Sequence, residues 1–155
     1  MAKRKRHSRP SSCYYILEVA NWDWDYHFGL NAVRYDDLAY SDYRHLHLRG
    51  AVLLPTKLRP KVEQVELTFL PNISPADLER SGPHPVSVGY LHVHRKNLTG
   101  GISMARDALG LVLQMLIAGR FKYLVMYGEP MRYGKTHVSS YHFNAVLDPE
   151  DYPDE

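Results

Sequence analysis

Cysteine is nearly absent from this chain. Cys13 stands alone among 155 residues, which excludes an intrachain disulfide and a zinc site built from several thiolates. Long apolar runs are also missing. The longest, LGLVLQMLIAG at 109–119, falls short of the roughly 20 residues needed to cross a bilayer as a helix. MAKRKRHSRPSS at the start is basic, but no apolar core of a secretory leader follows it. We therefore expect a cytoplasmic protein without membrane association. Signature motifs are lacking too. No HExxH occurs, and the glycine pair in NLTGGIS (97–103) carries neither the Lys-Ser/Thr of a P-loop nor dinucleotide-fingerprint spacing. No cofactor is expected.

Charge of one sign is scarce in the body of the chain. The net charge of +2 conceals an asymmetry between the ends. Lys3, Arg4, Lys5, Arg6 and Arg9 crowd the N-terminus, and Asp148, Glu150, Asp151, Asp154 and Glu155 crowd the C-terminus. Between them the charges nearly balance, so the body has no general bias toward polyanions. We expect a basic disordered tail at 1–12, one β-rich domain at 13–147, and an acidic disordered tail at 148–155.

Tyrosine is plentiful, with 12 in the chain, and it suits half-buried strand surfaces and interfaces. Residues 13–20, 26–34, 43–55, 62–71, 86–96, 121–128 and 136–146 read as strands. Gly50 marks a bulge or bend within the third of these. NWDWD (21–25) reads as a turn-like break and NLTGGIS as a tight turn before a helix. The helix is predicted from the spacing of Ile102, Ala105, Leu109, Val112, Leu113, Leu116 and Ile117, with Gly119 at its C-terminal stop. The fold class expected is mainly β (α+β): about seven mostly antiparallel strands in a curved sheet or sandwich, with one amphipathic helix packed against it.

Histidine supplies the most chemically suggestive pattern. HLHLR (45–49) and LHVHRK (91–96) each place two imidazoles two residues apart, hence on one strand face. If the two strands were neighbours, His45, His47, His92 and His94 would converge. Arg49 and Arg95 follow the pairs and disfavour a cation, so we expect solvent-facing histidines and no metal. NWDWDYHF (21–28) is the one stretch whose carboxylates, Asp23 and Asp25, fall in step with a histidine, His27. If its tryptophans were exposed, they would mark a partner-binding patch. GEPMRYGKTHVSSYHF (128–143) concentrates Glu129, Arg132, Lys135, His137, Ser139 and His142, without the sharp elbow of a nucleophilic serine.

The leading functional expectation is a non-enzymatic module that binds a protein partner, with self-association as one form of it. Its surface would comprise Tyr43, His45, His47, Arg49, Tyr90, His92 and His94. Two alternatives stay open. One is nucleic-acid binding by Lys3, Arg4, Lys5, Arg6 and Arg9 together with that same aromatic face. The other is a histidine-dependent hydrolase or metal enzyme.

Overall fold

In the computed structural model, residues 12–31 and 38–154 are described. The basic residues Lys3 to Arg9 and positions 32–34 of the expected second strand lie outside that set. Seven strands form a mainly β fold: β1 (Cys13–Leu30), β2 (Tyr40–Leu54), β3 (Gln64–Ile73), β4 (Gly89–His94), β5 (Asn97–Ala105), β6 (Tyr123–Gly128) and β7 (Lys135–Asn144). They close into a barrel in the order β1-β2-β3-β5-β4-β7-β6, with β6 returning to β1. All pairings are antiparallel except β3 with β5. Closure, rather than a sandwich, removes the edges that an open curved sheet would leave unpaired.

The interior is filled by the inward set of each alternating strand. Leu46, Leu48, Leu67, Phe69, Leu91, Leu98, Ile102, Leu124, Met126 and Val138 are fully or almost fully buried there. Gly50 sits opposite a bulge in β1, where the register slips between Val19 and Asn21. A Cβ on Gly50 would lie 1.9 Å from the Glu18 carbonyl oxygen, so the bend expected at Gly50 is a close backbone approach.

Helix α1 is a single turn at Pro75–Leu78, capped by Ser74, and the longer helix α2 runs from Leu109 to Ile117. It joins the end of β5 to the start of β6, and so lies at the barrel end where Phe69, Phe121, Tyr141 and Phe143 cluster. Leu109 and Leu116 are buried, Val112 and Leu113 pack at the edge of the core, and Ile117 is exposed. The chain reverses with Gly119 at φ +66°, the left-handed stop expected there.

Three expectations are corrected. NWDWD is not a break: β1 runs through it without interruption. Asn and Asp favour turns, but here each carboxylate finds a cation or imidazole across β2, and the alternation Trp22, Trp24, Tyr26, Phe28, Leu30 carries the strand onward. NLTGGIS is not a turn but most of β5. Its glycines permit close packing: a Cβ on Gly101 would meet the Tyr90 ring at 3.0 Å. Ile102 and Ala105 therefore belong to a strand, and the helix begins later than its apolar spacing suggests.

The third correction concerns the acidic C-terminal segment, which packs instead of dangling. Pro149–Asp151 form a 3-10 turn capped by the Asp148 side chain. Tyr152 rests edge-on against Tyr14 at 5.1 Å. Asp154 accepts hydrogen bonds from the Thr56 N–H and hydroxyl, which hold its carboxyl below the usual carboxylate range. The reason lies in β1. CYYILEVA is apolar on both faces, so outward-facing Ile16, with Leu54 and Val125, needs a cover, and Leu147 and Tyr152 provide it.

Candidate functional site

The β1–β2 ribbon outgrows the barrel. β6 accompanies β1 only as far as Glu18, and β3 accompanies β2 only over Leu46 to Gly50. Beyond these limits β1 and β2 pair with each other alone, up to Leu30 opposite Tyr40. The result is a two-stranded arm with unlike faces.

One face continues the barrel's inner side past its rim. Trp22, opposite Leu48, still packs on the core. Trp24, Tyr26, Phe28, Leu30 and Tyr40 share its face and are 50%, 53%, 60%, 76% and 59% exposed. Phe28 and Tyr40 stack with ring centroids 5.5 Å apart, and the Arg44 guanidinium lies 6.0 Å from the Tyr26 ring centre. These residues turn inward by pattern but meet no further strand among the described residues.

The other face continues the barrel's outer side and carries the residues named from sequence on β2. Asp25 lies directly opposite His45, Asp23 opposite His47, and His27 opposite Tyr43. Asp25 stands between the two imidazoles: its Oδ1 is 3.6 Å from His45 Nδ1 and its Oδ2 is 3.4 Å from His47 Nε2. His47 Nδ1 is 3.1 Å from the Thr68 hydroxyl on β3. Arg49 is already engaged by Asp23 at 3.0 Å and Glu66 at 3.4 Å, and these carboxylates, Asp23 foremost, raise its pKa. His27 stacks on Tyr43 with centroids 5.8 Å apart.

The second predicted pair stands elsewhere. β4 is separated from β2 by β3 and β5, three strand spacings or roughly 14 Å along the sheet. The four histidines therefore do not converge. His92 and His94 face outward with rings 5.9 Å apart. Tyr90 and His92 border a hollow of 370 Å³ shared with Glu129, Arg132, Lys135 and His137. All seven residues of the predicted surface lie on the barrel's outer side, but as two patches.

The sequence singles out Asp25 only beside Asp23 and His27; its place against the His45 pair comes from cross-strand register, which a turn at 21–25 would not provide. Thr68 carries no motif at all, and only the pairing of His47 with Thr68 places it there. No protein-family model matches this sequence, and neither a curated protein nor a solved structure is significantly similar to it.

Proposed function

We propose that this chain is a non-enzymatic protein-interaction module whose docking surface is the aromatic face of the β1–β2 arm. The observation that carries this reading is the row of five large side chains, each at least half exposed, on a face patterned for burial. Contiguous apolar patches of this kind mark association surfaces, and aromatic anchors dominate their energetics.

The occupant we assign is a second copy of this chain. An arm of two strands is marginally stable alone in water, and both of its outer edges are unpaired among the described residues. Five such side chains, exposed as they are, offer roughly 500–650 Å². Two copies meeting through the same patch would bury on the order of 1,000–1,300 Å², the lower end of specific interfaces. A symmetric pair needs only this one surface, used twice.

Nucleic-acid binding is the weaker reading. On the histidine face the Arg49 guanidinium is held by Asp23 and Glu66, and on the aromatic face Arg44 is held by Asp42, so neither face offers phosphates much free positive charge.

Sedimentation velocity on the full chain over a concentration series tests the proposal. Wild type should show a reversible monomer–dimer equilibrium, and Trp24→Ser/Phe28→Ser should shift it at least tenfold toward monomer with the circular dichroism spectrum unchanged. A wild type that stays monomeric to high micromolar concentration, or a dimer indifferent to these substitutions, would overturn self-association through the arm.

A further inference from the structure

We infer that Asp25, His45 and His47 form a binding site for a borderline divalent transition-metal ion, Zn²⁺ foremost. Among the described residues these three are a set of nitrogen and oxygen donors whose ligand atoms all lie within 4.8 Å of one another.

The convergence is imposed by the fold. Antiparallel register sets Asp25 directly across from His45, and period two returns His47 to the same face. Donors held 2.0–2.2 Å from a tetrahedral or octahedral ion are themselves roughly 2.9–3.5 Å apart. The two carboxylate-to-imidazole distances of 3.6 and 3.4 Å are close to this range, and the full set, whose ligand atoms lie within 4.8 Å of one another, would draw together around the ion. Two imidazoles and one carboxylate, partly open to solvent, make a three-ligand set that leaves positions for water.

Two surrounding features favour this use over a simple histidine–aspartate ion pair. The Thr68 hydroxyl lies 3.1 Å from His47 Nδ1, so it can accept the Nδ1–H once an ion takes the Nε2 lone pair, the outer-shell arrangement typical of metal-bound histidine. The guanidinium expected to repel a cation is cancelled: Arg49 is bracketed by Asp23 and Glu66. Three carboxylates against one guanidinium leave the local field negative. His92 and His94 are a natural control, since their cross-strand neighbours are Asn97, Thr99 and Lys135, none of them a carboxylate.

Titration of chelator-stripped full-length protein with Zn²⁺ in a calorimeter, and with Co²⁺ followed by its visible absorption, tests the site. One saturable site per chain should appear, unaffected by excess Mg²⁺ or Ca²⁺, which prefer all-oxygen shells. Asp25→Asn and His45→Ala/His47→Ala should each weaken it at least tenfold and abolish the Co²⁺ bands. Thr68→Val should weaken it by roughly 10- to 100-fold, the usual effect of losing an outer-shell partner. His92→Ala/His94→Ala should leave it intact. Metal-free circular dichroism spectra of the Asp25 and histidine variants should match wild type, because the residues they alter lie outside the buried core. The inference is overturned if no saturable binding is seen at millimolar Zn²⁺, if Asp25→Asn binds as tightly as wild type, or if the His92/His94 variant is the one that loses the metal.

Discussion

The same chemical change, glycine to alanine, should have opposite signs at two positions of this fold. A Cβ on Gly100 would lie 2.4 Å from the Tyr90 carbonyl oxygen, 2.9 Å from Leu91 Cδ2 and 3.0 Å from Leu67 Cδ2. Ordinary carbon–oxygen contacts are about 3.3 Å or more, so β4 would have to retreat from β5 by nearly 1 Å. The Tyr90 oxygen is backbone and cannot rotate away. Overpacking of this kind costs roughly 1–3 kcal/mol, and each weakened ladder bond adds about 1 kcal/mol. Gly100→Ala should therefore lose about 2–4 kcal/mol. Gly110, inside α2, has nothing within 4 Å of the position its Cβ would take. Gly110→Ala should instead gain about 0.5–1 kcal/mol by narrowing the unfolded ensemble and improving helix propensity. Urea unfolding with equal m-values measures both. In thermal melts, about 2–4 °C should accompany each kcal/mol for a chain this long. If Gly100→Ala stays within about 0.5 kcal/mol of wild type, NLTGGIS is not a tightly packed strand and the barrel described above is wrong at β5.

Further outcomes follow from the core and its edges. Leu116→Ala, which empties a buried site beneath α2, should cost roughly 2–5 kcal/mol in urea melts; under 0.5 kcal/mol would make the helix peripheral. Burial pushes the phenol of Tyr141 up to about 12 and that of Tyr15 higher still. The stability these protonated phenols contribute is fully present below the ordinary tyrosine range and is lost as pH rises through the folded values. Phenolate absorbance should accordingly show two tyrosines ionising only together with alkaline unfolding, and early ionisation of all of them would contradict this. Deleting 148–155 should destabilise by roughly 1–3 kcal/mol through loss of the Tyr152 cover, where a disordered tail would leave the melt unchanged.

The alternating stretches were legible from the residues alone. Leu46 and Leu48 face in while His45, His47 and Arg49 face out, as their period requires. The count of seven strands also agrees, but through two compensating errors: 13–30 is one strand rather than two, and 97–105 is a strand rather than a turn. Both errors arose where local propensity opposes tertiary context. Asp23 and Asp25 favour turns until Arg49 pairs with one and His45 stands opposite the other across β2, and Gly100 and Gly101 favour turns until Leu67, Leu91 and Tyr90 claim the space beside them. The candidate site was half visible for the same reason. His45 and His47 announce themselves by spacing, but Asp25 and Thr68 join them only through cross-strand register, which one-dimensional patterns do not encode.

Closure of the barrel also dictates an order of events at synthesis. The seam that completes it joins Cys13–Glu18 of β1 to Tyr123–Gly128 of β6, so β1 leaves the ribosome well before the strand that closes on it. Until then its edge N–H and C=O groups and both its apolar faces are uncovered, for Leu147 and Tyr152 arrive later still. Such long-range closure makes folding slow and leaves a nascent strand open to wrong pairing. The stretch CYYILEVA is therefore where a chaperone would be expected to hold this chain.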